Sequence, residues 1–268
     1  MNLSFEFFPP NNGDSKKIYN IYNKLSFLKP RFVSITYGAL GSDQNKSIDL
    51  ASALKIKNIE TAAHLTIADK SIKDIEIIVD KFLNIGIKKI VALRGDYPAN
   101  NYREHPAGFL STSEFVSFLV NKGLEVFVSS YPEKHPDSET FEVDLALLKD
   151  KQSAGASKAI TQFCFSKSAY AKLLDESCKN DIDIELTPGI MPIYNINNIL
   201  NMSQRCGIII PDSIKERFGD DESNNFKQAL EICPEQLDYL NELGYKSFHF
   251  YTLNRYKFIK KLFSERSY

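Results

Sequence analysis

The sequence has no apolar run approaching the roughly 18 residues of a membrane span. Its start, Met1-Asn2-Leu3-Ser4-Phe5-Glu6, has no basic segment leading into an apolar stretch, so a secretory leader is not expected. It has no excess of charge either: 33 Lys+Arg stand against 34 Asp+Glu in 268 residues. So even a balance lacks the electrostatic footprint of nucleic-acid or anionic-membrane binding, and any phosphate-bearing partner must be held by a local site. The four cysteines, Cys164, Cys178, Cys206 and Cys233, form no CxxC pair. That spacing speaks against a zinc or disulfide framework and for reduced, mostly buried thiols in a cytoplasmic protein. No metal-ligand spacing and no Ser/His/Asp nucleophile arrangement is visible, so no metal site is expected.

What the chain does have is alternation. Short β-rich runs are expected at 3–8, 32–36, 61–65, 89–93, 125–130, 159–164, 184–187 and 247–251, with helical stretches between them. Apolar residues fall at helical spacing in Ile72-Ile75-Val79-Phe82-Leu83, in Phe115-Phe118-Leu119 and in Val143-Leu147-Leu148. Gly86, Gly123, Gly155 and Gly244 each follow such a pattern and precede a strand, where a helix stop favours positive φ. Strand then helix, about eight times over, implies parallel strands joined by crossover helices. An open doubly wound sheet and a closed (β/α)8 TIM barrel both satisfy this. The strand count and the length favour the barrel, and the lack of GxGxxG after the first strand argues against a dinucleotide-binding open sheet. The stretch between Gly189 and Ser247, with its acidic turn Gly219-Asp220-Asp221-Glu222, reads as an elaborated last crossover, leaving 1–268 as one barrel.

A barrel carries its chemistry at the C-terminal ends of its strands. In strand one, Leu3, Phe5 and Phe7 alternate with Ser4, Glu6 and Phe8. The apolar set suits the helices, which turns Glu6 into the barrel mouth, where poor hydration raises a carboxyl pKa and makes it a proton donor near neutrality. Other strand ends carry Thr36-Tyr37-Gly38-Ala39, His64-Leu65-Thr66, Arg94-Gly95-Asp96, Tyr131 to Pro136, Gln162, and Tyr251 leading to Asn254-Arg255. One buried acid, an Arg/Asp pair and several aromatic and amide groups suit a protein that binds and tunes a large cofactor.

These residues carry a resemblance. The stretches 4–10, 29–39, 63–66, 90–96, 131–133 with 135–136, 154–156 with 159–163, 188–192 and 248–255 are similar, in order, to the bacterial methylenetetrahydrofolate reductase family. The resemblance implies a flavin-dependent barrel in which NADH or NADPH reduces FAD, and FAD then passes hydride to 5,10-methylenetetrahydrofolate. The product, 5-methyltetrahydrofolate, serves one-carbon metabolism and methionine synthesis. It implies Glu6 as the general acid of ring opening and Asp96 as the charge beside the flavin. Thr36 would lie near the nicotinamide nucleotide. Tyr37, Ala39, His64, Arg94, Gly95, Tyr131, His135, Asp144 and Lys151 would hold FAD. Gln162 would meet both folate and nicotinamide, and Asn198, Tyr251 and Arg255 would bind the folate.

Three departures stand out. Leu147 and Asp150 replace family Asn and Arg on the helix after strand five, so Asp150 is expected to repel the cofactor's pyrophosphate, with Lys149 offering compensation. Asn198 and Met202 replace a folate-contacting glutamine and a stacking phenylalanine. The chain also starts at strand one, without a leading segment found in many relatives, and a homo-oligomer is expected. Competing readings are a flavin barrel acting on another amine, a subunit reduced by a partner protein, and a non-catalytic folate binder. Substrate screening, direct reduction by NADH and cofactor content separate them.

Overall fold

Alternation along the first strand sets which way the sheet faces. In the computed structural model, which describes residues 1–37, 44–95 and 105–264, strand β1 (Asn2–Phe7) buries Phe5 and Phe7 completely among the helices. Ser4 and Glu6 turn inward. Ala39 and Asp96 lie outside the described residues.

The remaining strands are β2 (Phe32–Ile35), β3 (Thr61–Thr66), β4 (Lys89–Leu93), β5 (Glu125–Ser130), β6 (Lys158–Thr161), β7 (Glu185–Thr187), β8 (Gly189–Ile190) and β9 (Ser247–Tyr251). All pair in parallel, in the order β7-β6-β5-β4-β3-β2-β1-β9-β8. Only Pro188 separates β7 from β8, so the expected seventh strand is one strand in two pieces. Proline has no N–H for the ladder. Its carbonyl instead accepts from His249 N–H (2.9 Å), and the next amide, Gly189 N–H, reaches Thr161 Oγ1 (2.9 Å). Through residue 188 the sheet closes into a (β/α)8 barrel.

Helices α1 (Ser15–Leu25), α2 (Gln44–Ile56), α3 (Ile72–Asn84), α4 (Thr112–Asn121), α5 (Phe141–Ser153) and α6 (Lys167–Lys179) link successive strands. Helices α7 (Ile196–Cys206), α8 (Asp212–Lys215) and α9 (Glu222–Glu242) fill the long crossover before β9, and α10 (Tyr256–Ser264) follows it. Starts are capped as their sequences dictate. Ser71 and Asp74 form a reciprocal capping box on α3, and Ser111, Thr140, Ser166 and Asn195 each accept from the first turn of their helices. The four helix-stop glycines all adopt φ between 80° and 102°.

One expected helix face is corrected. On α5 the buried residues are Phe141, Leu145 and Leu148, whereas Val143 and Leu147 are 42% and 45% exposed. The apolar spacing there spans two faces, and only one meets the sheet.

Inside the barrel, Phe32, Ala62, Val91, Phe127 and Ile160 form a small packed layer. Each such side chain, fully buried, contributes about 1.5–3 kcal/mol for the larger residues. At the N-terminal ends of the strands, Lys89 pairs with Glu60 (2.6 Å) and Glu125 (3.2 Å), and Lys158 with Glu185 (2.5 Å). Layer and ion pairs fill this end, so the interior opens at the other.

Candidate active site

At the C-terminal end of the strands lies a cavity of about 1250 Å³. That exceeds the roughly 300–1,000 Å³ usual for one small ligand.

Glu6 sits at its floor, on the last turn of the pleat in β1. The strand end is held by the segment after β9. Thr252 Oγ1 donates to the Glu6 carbonyl (2.6 Å), and the Asn254 side chain brackets Phe8, accepting from its N–H (3.2 Å) and donating to its carbonyl (2.9 Å). Leu253 and Asn254 adopt φ of 49° and 57° to make that return. The Glu6 carboxyl faces two imidazoles, with Oε2 3.6 Å from His64 Nε2 and 4.0 Å from His249 Nε2. Burial drives all three toward neutrality: it raises Glu6 to about 8 and lowers His64 to about 4 and His249 to about 3. A protonated carboxylic acid beside two neutral imidazoles can deliver a proton near neutral pH without competition from either.

His249 is clamped. Its Nδ1 lies 2.7 Å from Ser4 Oγ and its Nε2 3.2 Å from Ser34 Oγ. Ser4 Oγ also donates to the Phe248 carbonyl (3.4 Å), which leaves a lone pair for an Nδ1 proton and leaves Nε2 to accept from Ser34. The ring stacks near Phe32 (5.8 Å, 18°) and meets Tyr251 edge-on (5.5 Å). Sequence reasoning did not single it out. The signal was there in β9, where His249 alternates with Tyr251 on the inward face.

Tyr251 lines the cavity with its hydroxyl donating to the Thr161 carbonyl (2.8 Å). Gln162 spends its side-chain oxygen on Phe163 N–H (3.0 Å), leaving its amide group for a ligand. Thr36 and His64 also line the cavity. Thr36 Oγ1 and His64 Nε2 are buried and have no hydrogen-bond partner among the described residues. Such groups are costly unless a ligand or water completes them.

Tyr37 is buried under the cavity wall, and burial pushes its hydroxyl up to about 12. Gly95 adopts φ of 97°, and a Cβ there would lie 2.9 Å from Ala68 Cβ. Arg94 extends from the same strand end to Asp137 (2.7 Å). The loop after β5 is organised by Asp144, whose carboxylate accepts from His135 N–H (2.5 Å) and from the Ser138 hydroxyl. His135 in turn accepts from Asp137 N–H (3.0 Å) and packs edge-on against Tyr131 (4.7 Å). Lys151 donates to the Ser129 carbonyl (3.1 Å), and burial lowers its ammonium to about 8.

The structure thus brings together Glu6, Thr36, Tyr37, His64, Arg94, Gly95, Tyr131, His135, Asp144, Lys151, Gln162 and Tyr251. It does not bring Asn198 or Arg255 to the wall. Asn198 is exposed on the first turn of α7, and Met202 and Cys206 are the residues of that helix that reach the cavity. Arg255 is exposed, its guanidinium 5.0 Å from the Tyr194 ring. The expected role of Asp150 is also corrected. Val143, Asp144, Leu147 and Lys151 share the cavity face of α5, while Asp150 is exposed off that face. Lys149 donates to the Asp181 carbonyl, so it offers no compensating charge to the cavity. Cys164 and Cys233 are buried, Cys206 is partly buried and Cys178 is exposed, so only two of the thiols are fully buried. Among the described residues there is no cluster of three or more metal-ligating side chains, and no helix is long and apolar enough to cross a membrane.

A family model described as methylenetetrahydrofolate reductase matches residues 1–266. The 5,10-methylenetetrahydrofolate reductase of Buchnera aphidicola subsp. Schizaphis graminum is 38% identical over 257 residues, covering 94% of this chain and 87% of the relative. That of Escherichia coli (strain K12) is 35% identical over 261 residues, covering 95% and 87%. Among solved structures, a Clostridium thermocellum protein described as binding two copies of 5-methyl-5,6,7,8-tetrahydrofolic acid superposes with a TM-score of 0.66 at 14% identity, covering 97% of this chain and 92% of its own. A 2,3-dimethylmalate lyase gives 0.55 at 7%, covering 94% and 75%. At these identities both structural matches establish the barrel alone.

Proposed function

The chain belongs to the methylenetetrahydrofolate reductase family, and from that premise we propose that it reduces 5,10-methylenetetrahydrofolate to 5-methyltetrahydrofolate with FAD in the cavity and NAD(P)H as electron source. The observation that carries the reading is the neutral Glu6 carboxyl at the cavity floor, raised to about 8 by burial. The product would feed methionine synthesis.

The wall fits a flavin dinucleotide. The unpaired Thr36 Oγ1 and His64 Nε2 await polar partners, and Arg94 and Lys151 supply cationic groups for phosphates. Tyr37, Gly95, Tyr131 and His135 would complete the holding surface, with Asp144 acting through the loop it organises. Asp96 and Ala39 keep, within this proposal, the roles the family resemblance implies. When bound, FAD supplies the two-electron carrier between nicotinamide and folate.

The chain's own part is proton delivery and orientation. Glu6, protonated at neutral pH, gives its proton to the folate nitrogen whose bond to the bridging carbon breaks, and neutral His64 and His249 leave that proton in place. Gln162 offers its free amide to the substrate ring, and the fixed Tyr251 ring shapes the pocket beside it. Arg255, exposed at the same end of the barrel, is left to meet an anionic part of the folate outside the cavity. Asn198 has no role in this proposal.

The purified protein should be yellow, bleach under anaerobic NADH or NADPH, and recover its colour on addition of methylenetetrahydrofolate. Failure of both changes removes the proposal.

A further inference from the structure

Two parts of the cavity wall, distant in sequence, meet on one side of it. One is the loop after β5, carrying Tyr131, His135 and Asp137; the other is α7, carrying Met202 and Cys206. Within α7, Ile199 and Ser203 are buried, and Ile196, Leu200, Met202 and Cys206 pack, partly buried, against the apolar cluster that contains Ile199. Beyond its end, Ile208 and Ile210 are buried in that cluster beside Met191 and Phe163, and Ile209 is 71% exposed. The Ile209 side chain therefore adds little burial to hold this segment. Its backbone N–H donates to Oε2 of Glu133, in the loop after β5, at 3.3 Å. Glu133 is itself partly buried, close to the Cys164 thiol, and does not line the cavity.

A second contact spans the same gap. Gly207, the left-handed cap of α7 with φ of 66°, packs so closely on Pro136 that a Cβ would lie 2.7 Å from the proline Cγ. Glu133 and Pro136 belong to one loop, and Gly207 and Ile209 to one turn.

We propose that Glu133 is a positioning residue: by holding the Ile209 N–H it helps keep the end of α7, with Met202 and Cys206, against the cavity, and so sets the gap between these two parts of the wall. Glu133 acts through α7 and touches no ligand. Its consequence for turnover rests on the flavin–folate reading above, but its structural consequence does not, because Cys206 reports the position of α7 in the protein without any ligand.

The test is the rate of Cys206 alkylation by iodoacetamide in a Cys178→Ser background, with the site confirmed by peptide mass spectrometry; Cys164 and Cys233 are buried. Glu133→Ala should speed labelling about three- to tenfold, the weight of one net hydrogen bond. Glu133→Gln should stay close to the parent rate, since its amide oxygen accepts from the same N–H. Labelling of the alanine variant at the parent rate, or of the glutamine variant as fast as the alanine, overturns the proposal. Gly207→Ala attacks the bridge from the other side and should also speed labelling. If Glu133→Ala yields no folded protein, parent-rate labelling of Gly207→Ala overturns the proposal by itself. In turnover, Glu133→Ala should raise KM for the folate about threefold with kcat nearly unchanged. A fall in kcat alone would contradict a positioning role.

Discussion

Glu6 Oε2 and His64 Nε2 face each other at 3.6 Å, yet at neutral pH this is not an ion pair. Burial holds the carboxyl protonated up to about 8 and the imidazole neutral down to about 4, so each is mainly uncharged at pH 7. The site stores its proton on the carboxyl.

This has a signed consequence for stability. The unfolded Glu6 ionises near 4.5, while the folded one keeps its proton to about 8. Between those values the folded state binds more protons, so stability falls as pH rises, by roughly 1.4 kcal/mol per unit at most. Glu6→Gln mimics the protonated form. Its melting temperature should match the parent near pH 4 and exceed it increasingly up to pH 8, as followed by scanning fluorimetry. A pH-independent difference would contradict the raised pKa. In activity, the same variant should lose folate reduction by about 10²–10⁴-fold while retaining reduction by NADH, and the parent's folate half-reaction should decline above about pH 8.

The buried imidazoles act at the other end of the scale. His64 and His249 ionise near 6.5 when unfolded, but only near 4 and 3 when folded. Their contribution is complete above 6.5 and is lost as pH falls toward those lower values. His64→Gln should flatten the loss of stability between pH 6.5 and 4 in urea titrations; an unchanged acid limb would exclude His64 as its source.

Ser4→Ala removes the hydroxyl 2.7 Å from His249 Nδ1 and leaves that buried nitrogen without a partner. The expected cost is about 1–3 kcal/mol in a denaturant melt. A variant as stable as the parent would show that water replaces the serine.

Gly189→Ala should be among the most damaging small substitutions. Its Cβ would stand 2.2 Å from the Thr161 carbonyl oxygen and 2.5 Å from the Tyr251 ring. A backbone carbonyl cannot rotate away, so about 3 kcal/mol or more is expected. Soluble protein with a parental melting point would refute the close approach.

Cofactor affinity separates neighbours on α5. Lys151 lines the cavity and Asp150 does not. Titration of FAD into the apoprotein should show Lys151→Ala weakening binding about tenfold or more, the loss of one charge-assisted contact. Asp150→Asn should leave affinity within about twofold, as expected for a solvated surface charge. Tighter binding in Asp150→Asn would restore the repulsion expected from sequence.

Much of the fold was legible because strand alternation and helix stops are local. Phe5 and Phe7 against Glu6, and the four glycines at positive φ, follow from two- and four-residue rules that hold wherever the chain goes. The site was less evenly legible. Strand-borne Glu6 and Tyr251, and Gln162 one residue beyond β6, reach the cavity as their alternation requires. Helix-borne ones depend on phase, and one position turns a side chain by about 100°. That rotation separates Asp150 from Lys151 and divides the apolar residues of α5 between the core and the cavity, whereas Asn198 and Met202 share a face of α7 and differ by one turn along its axis.

By itself, then, the amino-acid order determined the repeat of strand and helix, the inward face of the first strand and the acid at the mouth. Only the closed barrel decided that His249 would stand behind Glu6, that Pro188 would split a strand at the seam, and that Glu133 would reach Ile209. Those relationships join positions far apart in the chain. They depend on the register with which parallel strands close the ring, which local spacing does not encode.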